Sequence, residues 1–286
     1  MTLRRATGVG GVELALHCWD GRPGSGPPVL LAHGLASNAR LWAQVAERLA
    51  AAGHAVVAVD LRGHGRSAKP EAGYDMATVA ADLAGVVIEL GWCRPVVAGQ
   101  SWGGNVVLEL AARYPGTIGG AVCVDGGWIE LSRPFPQWDD CALQLAPPRL
   151  AGTPLAELRD RLWSLHPGWP AAGIEAFLAN FEVLDDGTVA PWLTYDRHLL
   201  VLRGLWEHHP SALYAGVAAP VLLVPARGPA GAGGPGAMAG DAVAEAAGAL
   251  ASARVAGLDG DHDLHAHRPA ELAELMLGWM AEMVPA

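Results

Sequence analysis

The sequence has 286 residues, of which 51% are hydrophobic and only 17% charged, so it can bury a large core and is not disordered along its length. Nineteen Lys and Arg against twenty-nine Asp and Glu give a formal charge of −10 at pH 7. Because this charge repels polyphosphates and anionic headgroups, nucleic acid and membrane surfaces are poor partners. Four cysteines without a C-x-x-C pair indicate reduced thiols. With no secretory leader pattern and no apolar run of spanning length, we expect a cytoplasmic protein.

Short apolar runs of strand length alternate with longer helical patterns over the first 125 residues. This alternation is typical of a parallel sheet covered by helices on both faces. An antiparallel hairpin is expected at the sheet edge within the first twenty residues. The strand-like runs are 29–33, 55–60, 95–99 and 121–125, and the helical patterns between them are 39–51, 76–91 and 103–114.

The pattern changes after Asp125, where six of the eleven tryptophans fall within 126–219 and no run has the pattern of a buried strand. This segment is predicted to be an inserted helical cap, and residues 1–125 and 220–286 are predicted to form the core domain. Cap helices are predicted at 155–165, 174–184 and 193–206, with Asp185-Asp-Gly187 as a turn between two of them. The sheet is expected to resume at 220–225, followed by a Gly-rich segment at 228–240, a helix at 241–251, a strand at 253–258 and a helix at 269–283.

The strongest chemical signal is Gly99-Gln-Ser-Trp-Gly103, which directly follows a predicted strand and precedes a predicted helix. A serine that protrudes from such a tight turn has strained backbone angles, and residues without side chains on either side avoid collision. This is the G-x-S-x-G nucleophile elbow, and it predicts Ser101 as a nucleophile.

Four blocks together resemble those of proteins with the alpha/beta-hydrolase fold, and the resemblance extends over nearly the whole chain. It implies an α/β fold with a mostly parallel, eight-stranded sheet, helices on both faces and an inserted helical cap. The blocks are His33-Gly34, Asp60-Leu-Arg-Gly-His-Gly-Arg-Ser67, Gly99-Gln-Ser-Trp-Gly103 and Gly260-Asp-His-Asp-Leu-His-Ala-His-Arg-Pro269.

The resemblance also implies roles for individual residues. His262 stands seven residues before Pro269, the family's spacing for the catalytic histidine. The usual place for the acid, after the seventh sheet segment, holds no carboxylate. Asp125, at the end of the sixth sheet segment, occupies the family's alternative position for the catalytic acid. The other two interpretations are that Asp241 is the acid or that the acid is absent.

The resemblance further implies that the backbone N–H groups of Trp102 and Leu35 form the oxyanion hole. A Ser–His–Asp set transfers acyl groups through an acyl-enzyme and requires no metal or other cofactor. A serine nucleophile argues against the epoxide-hydrolase and haloalkane-dehalogenase branches, which need an aspartate. A metal site in segment 259–267 lacks any fixed ligand spacing and is not favoured.

The cap tryptophans predict an apolar or aromatic substrate pocket, because their rings supply large apolar surfaces. We therefore expect a hydrolase of small-molecule esters or lactones whose carboxylic part is apolar or aromatic. Cleavage of a thioester, an amide or a C–C bond, and a non-hydrolytic ligand receptor or cyclisation scaffold on the same fold, stay as alternatives, and a homodimer is left open. The pocket candidates are Trp128, Trp138, Trp163 and Trp192.

Overall fold

Eight strands form one mixed sheet through the centre of the computed structural model, which describes residues 1–21, 26–228 and 239–283. Two further strands form a separate hairpin. The strands are β1 (Thr2–Thr7), β2 (Glu13–Trp19), β3 (Val29–Ala32), β4 (Val56–Asp60), β5 (Val96–Gln100), β6 (Gly120–Val124), β7 (Phe181–Val183), β8 (Val189–Pro191), β9 (Val221–Val224) and β10 (Ala253–Val255).

The large sheet has the order β1-β2-β4-β3-β5-β6-β9-β10. β1 pairs antiparallel with β2, β2 pairs antiparallel with β4, and every other pairing is parallel. The mostly parallel, eight-stranded sheet with an antiparallel edge hairpin is thus confirmed. Because all these parallel strands run the same way, the residues that follow them lie at one carboxyl edge, where open α/β sheets place their sites.

Helices cover both faces of this sheet. Neighbouring residues of β3 show the two faces directly, since Leu30 packs in one core cluster with Val106 and Leu31 packs in the other with Met276. The helices are α1 (Ala43–Ala51), α2 (Met76–Glu89), α3 (Trp102–Arg113), α4 (Trp138–Leu145), α5 (Leu155–Leu165), α6 (Ala171–Leu178), α7 (Tyr195–Trp206), α8 (Ala239–Ala249), α9 (Leu264–His267) and α10 (Pro269–Met283).

Segment 126–219 contains α4 to α7 together with the β7–β8 hairpin, and one prediction for it was wrong. The helix expected at 174–184 ends at Leu178, and the Asp185-Asp-Gly187 turn joins two strands instead of two helices. The backbone groups that would continue the helix are bonded elsewhere: the Asn180 carbonyl accepts from the Trp192 N–H over 3.0 Å, and β7 pairs with β8. Such tertiary contacts override the local helical pattern.

A third apolar cluster joins this segment to the rest of the chain. Its members from α5, α6 and the hairpin pack with Leu41 and with Ala266 of α9. The division into a core domain and a cap stays a prediction.

The C-terminal elements agree closely with expectation, although β10 ends at Val255, and most of the predicted Gly-rich segment, 229–238, lies outside the described residues. In the described part of the chain, no helix has the length and hydropathy needed to cross a membrane.

Candidate active site

Ser101 occupies a strained turn between β5 and α3. Its backbone has φ 54° and ψ −121°, a conformation that a residue with a side chain rarely adopts. The turn is fixed by its hydrogen bonds: the Ser101 N–H donates to the Val124 carbonyl over 2.9 Å, and the Ser101 carbonyl accepts from Gly104 over 2.9 Å. The strand-to-helix elbow predicted from the sequence is therefore present, with Ser101 at its apex.

The glycines around the elbow are required by close backbone approaches. A β-carbon at Gly99 would collide with the carbonyl oxygen of Gly103, and one at Gly103 would collide with that of His33. A β-carbon at Gly126 would collide with the Ser101 carbonyl oxygen. The backbone therefore packs without side chains on either side of the serine.

His262 and Asp125 meet at the carboxyl edge of the sheet. The distance from His262 Nδ1 to Asp125 Oδ2 is 2.5 Å, with 27% of the histidine side chain and 1% of the aspartate side chain exposed. The other carboxylate oxygen, Oδ1, accepts from the Ala226 N–H over 3.0 Å. A carboxylate partner assigns the ring proton to Nδ1, which leaves Nε2 as a base.

Asp125 itself directly follows β6 and has φ 42°. Its N–H donates to the Val224 carbonyl at the end of β9 over 2.9 Å. This contact extends the β6–β9 ladder past the end of the strands and directs the carboxylate towards the loop that carries His262. Asp241, the alternative acid, lies in α8 and makes no such contact within the described residues.

The loop that carries His262 is tied to the elbow by the residue before the serine. Gln100 Nε2 donates to the His262 carbonyl over 3.0 Å. Among the described residues, the Ser101 hydroxyl and the His262 ring share no direct hydrogen bond. The two loops are instead linked through the Gln100 amide. Catalytic hydrogen bonds are often long without substrate and tighten in the Michaelis complex.

The surroundings of His262 favour its charged form. Burial alone would lower the pKa of the ring, but the hydrogen bond to Asp125 and the charges of Asp263 and Asp261 outweigh it and raise the pKa of His262 above the ordinary 6.5. The ring is therefore a stronger base than a free imidazole.

His33 and Gly34 lie against the elbow as the sequence motif indicated. A β-carbon at Gly34 would lie 3.3 Å from the Ser101 β-carbon, which places the start of the predicted oxyanion loop beside the serine. His33 fixes this loop, because its Nε2 accepts from the Leu61 N–H over 3.0 Å and its Nδ1 donates to the Gly34 carbonyl over 2.7 Å. Burial lowers the pKa of His33, so the ring stays neutral in this role.

The two predicted oxyanion donors are backbone N–H groups on either side of the elbow. In the described part of the chain, neither the Leu35 N–H nor the Trp102 N–H is bonded to a backbone carbonyl. Trp102 is the first residue of α3, so its N–H lies at the positive end of the helix dipole.

The four pocket tryptophans lie in different surroundings. Trp192 lines a cavity of about 380 Å³. Trp128 is buried in the core cluster beside α3, and Trp138 packs edge-on against Trp206 at 5.9 Å between ring centroids. Trp163 is 40% exposed. The structure thus places only Trp192 in the lining of this cavity.

The cavity begins next to the oxyanion loop. Its lining includes Ala36 and Ser37, the segment 147–151, and residues of α6, the β7–β8 hairpin and the start of α7. Its lining includes neither Ser101 nor His262, so the cavity adjoins the candidate catalytic residues without containing them.

Sequence reasoning missed Asn105, which fixes the chain just after Asp125. Its Oδ1 accepts from the Gly127 N–H over 2.8 Å, and its Nδ2 donates to the Ile129 carbonyl over 2.7 Å. The only sequence signal is its position four residues after Ser101 on α3.

Among the described residues, no three His, Cys, Asp or Glu side chains are grouped as metal ligands.

A sheet of this order, with a serine at a strand-to-helix elbow and a His–Asp pair at the same edge, defines a hydrolase of the alpha/beta type. Residues 27–156 match the family described as alpha/beta hydrolase fold. The chain is 31% identical over 206 residues to 2-(acetamidomethylene)succinate hydrolase of Mesorhizobium japonicum, a match that covers 70% of both chains. The chain therefore belongs to the alpha/beta hydrolase superfamily, as its motifs indicated.

Solved structures agree with this fold. The crystal structure of E-2-(acetamidomethylene)succinate hydrolase superposes with a TM-score of 0.82 at 24% identity and covers 98% of this chain and 99% of that one. The enol-lactonase of Burkholderia xenovorans LB400 superposes with a TM-score of 0.71 at 21% identity and covers 97% and 100%. At these identities the likeness concerns the fold alone.

Proposed function

We propose that the protein is a serine hydrolase that cleaves apolar or aromatic carboxylic esters or lactones through an acyl-enzyme. Ser101 is the nucleophile, His262 is the general base, and Asp125 is the carboxylate that orients the His262 ring. The observation that carries the proposal is the 2.5 Å contact between His262 Nδ1 and Asp125 Oδ2, at the sheet edge that also carries the strained Ser101.

Each group has a defined task in the reaction. His262 Nε2 accepts the hydroxyl proton as Ser101 Oγ attacks the acyl carbonyl, and Asp125 stabilises the resulting imidazolium. The backbone N–H groups of Trp102 and Leu35 donate to the oxyanion. The protonated ring then gives its proton to the leaving alcohol. Water, deprotonated by the same ring, hydrolyses the acyl-enzyme and releases the acid.

The apolar character of the substrate is supported by the cavity beside the oxyanion loop. Most of its walls are aliphatic or aromatic, and a pocket with such walls favours apolar groups. The apolar walls include Leu150, Phe177, Phe181, Trp192 and Leu193.

Amide hydrolysis is the second candidate, and the relative of 31% identity favours it. That protein is named for the hydrolysis of a compound with an acetamido group. The same serine mechanism serves an amide, provided that His262 protonates the leaving amine. The non-hydrolytic receptor or scaffold is disfavoured, because it implies that the catalytic acid is lost, whereas Asp125 contacts His262.

A fluorophosphonate probe tests the proposal, because it labels activated serines covalently. We expect labelling of the native protein at Ser101, loss of labelling in Ser101→Ala and unchanged labelling in Ser164→Ala, a matched variant at an exposed position of α5. Intact-protein mass spectrometry reads the adduct. A native protein that stays unlabelled, or an adduct that persists in Ser101→Ala, contradicts the proposal. A panel of aryl esters, lactones, thioesters, anilides and β-diketones then ranks the substrate classes.

A further inference from the structure

Two buried polar groups at the wall of the cavity lack a hydrogen-bond partner among the described residues. They are the Ser37 hydroxyl and the Asn180 side-chain nitrogen Nδ2, on residues that are 8% and 9% exposed. Burying a polar group without a partner is unfavourable, and such groups usually have a ligand or water to bond. Most of the lining around them is apolar and supplies no partner.

The orientation of the Asn180 amide follows from its neighbours. Asn38 Oδ1 accepts from the Arg40 N–H over 2.8 Å, so Asn38 Nδ2 must be the end that donates. This nitrogen donates to the Ala176 carbonyl over 2.9 Å and to Asn180 Oδ1 over 2.6 Å. The oxygen of Asn180 is therefore occupied, and its free end is an NH₂ group that can only donate.

One residue, Asn38, links the two parts of the cavity lining that carry these groups. Ser37 directly precedes Asn38, and Asn38 is bonded to Asn180. Ser37 is also two residues beyond Leu35, the proposed oxyanion donor. A substrate whose acyl carbonyl binds at Leu35 can therefore extend its acyl chain along this wall towards both groups.

The charge of the lining favours an electron-rich partner. It includes Arg149, whose guanidinium lies 4.1 Å from the centre of the Tyr195 ring, and it includes no Asp or Glu among the described residues. This is notable in a chain with a formal charge of −10. An oxygen acceptor, neutral or anionic, meets no carboxylate here.

We propose that this part of the cavity binds a second oxygen acceptor on the acyl chain of the substrate, a keto or carboxylate oxygen, through Asn180 Nδ2 and the Ser37 hydroxyl. The inference rests on the proposed function in taking the cavity as the acyl site. It narrows the substrate class from apolar esters to esters whose apolar acyl chain carries one oxygen function.

Three nearly isosteric acyl groups test the proposal as p-nitrophenyl esters: 5-methylhexanoyl, 5-oxohexanoyl and 4-carboxybutanoyl. Shorter and longer homologues move the oxygen along the chain. For each protein, kcat/KM for an oxygenated ester is divided by kcat/KM for its methyl-branched isostere. Comparing this ratio between the native protein and the variants cancels the intrinsic reactivity of the esters. The variants are Asn180→Leu, Asn180→Asp, Ser37→Ala and the exposed control Ser164→Ala, each checked by thermal unfolding.

We expect about a tenfold preference for at least one oxygenated ester in the native protein, since one donor to a buried acceptor gives selectivity of this order. Asn180→Leu abolishes the preference, Ser37→Ala reduces it and Ser164→Ala keeps it. Asn180→Asp retains an acceptor for Asn38 and replaces the donor by a carboxylate oxygen, so the preference for the neutral keto ester is compared in this variant should the leucine variant fail to fold. A preference for the carboxylate that falls in Arg149→Gln identifies an anionic substrate, and a preference for the ketone identifies a neutral one.

The outcomes separate this inference from the proposed function. Fluorophosphonate labelling of Ser101 together with equal ratios in native and variant proteins at every chain length overturns the inference and leaves the hydrolase proposal standing. If labelling fails, the hydrolase proposal falls, and calorimetric titration of the same acyl groups as N-methylamides into Ser101→Ala decides the inference. A dissociation constant about tenfold lower for the oxygenated amide supports it, and equal constants overturn it.

Discussion

The indole Nε1 of Trp169 donates a 2.6 Å hydrogen bond to Asp261 Oδ2, and Asp261 directly precedes His262. The other oxygen of Asp261 accepts from the Asp263 N–H over 3.1 Å. Burial alone would raise the pKa of Asp261, but the hydrogen bonds from His166 and Trp169 lower it to about 2. Segment 126–219 thus fixes, through one charged group, the loop that presents the proposed general base.

Replacing this indole tests how much the contact contributes to stability. Trp169→Phe removes the N–H donor to a carboxylate and part of a buried ring, and we expect the free energy of unfolding to fall by about 1–3 kcal/mol. Urea denaturation at pH 7 measures the change. Trp163→Phe is the matched control: its indole is 40% exposed, so a change within about 0.5 kcal/mol is expected. Equal losses in the two variants would refute a role for the hydrogen bond.

The choice of acid is tested by a pair of isosteric substitutions. Asp125→Asn keeps an oxygen for the Ala226 N–H but presents an NH₂ group to His262 Nδ1, which forces the wrong ring tautomer. We expect kcat for an aryl ester to fall by roughly 10⁴-fold, the loss seen for such a change in a serine protease triad. Stopped-flow and steady-state release of p-nitrophenol measure it.

Asp241→Asn is the control for this experiment, since Asp241 lies in α8 away from the His262 contact. Its kcat is expected to stay within about twofold of the native value, because surface substitutions away from a site have small effects. Small and equal effects in both variants would mean that Asp125 is not the acid.

The pH dependence of activity follows from the raised pKa of His262. The ring acts as a base only when neutral, so activity is lost as the pH falls through its folded-state pKa. Because this pKa lies above 6.5, the acidic limb of kcat/KM for an aryl ester is expected to have its midpoint above pH 6.5. Asp263→Asn removes a carboxyl that raises this pKa, so its midpoint is expected at lower pH. A native midpoint below 6.5, or a shift upward in the variant, contradicts this account.

The sequence predicted those parts of the fold whose signals are local. The central strands β3, β4, β5, β6 and β9 are largely apolar runs buried on both faces, and the elbow has its own motif, so these parts could be located without coordinates. Asp125 required the family resemblance, because what makes it a partner of His262 is a contact across 137 positions.

The cavity and the β7–β8 hairpin depend on contacts that no local pattern reveals. The helix predicted through residue 184 ends early where the Asn180 carbonyl accepts from the Trp192 N–H. The cavity wall combines Ser37 with segments more than a hundred residues away, so its polar groups were not identifiable from spacing. Of the four pocket tryptophans, composition alone did not distinguish Trp192 from the exposed Trp163.

Two glycines with opposite surroundings test whether the elbow depends on backbone contact. A β-carbon at Gly99 meets the Gly103 carbonyl oxygen, whereas one at Gly278, within α10, meets no atom within 4 Å. Gly99→Ala must displace the turn that carries Ser101, so we expect lower stability and loss of fluorophosphonate labelling. Gly278→Ala restricts only the unfolded chain and favours the helix, so we expect the free energy of unfolding to rise by about 0.5–1 kcal/mol with labelling unchanged. Urea denaturation and adduct mass measure both variants, and a Gly99→Ala protein with native stability and labelling would show that the turn tolerates a side chain there.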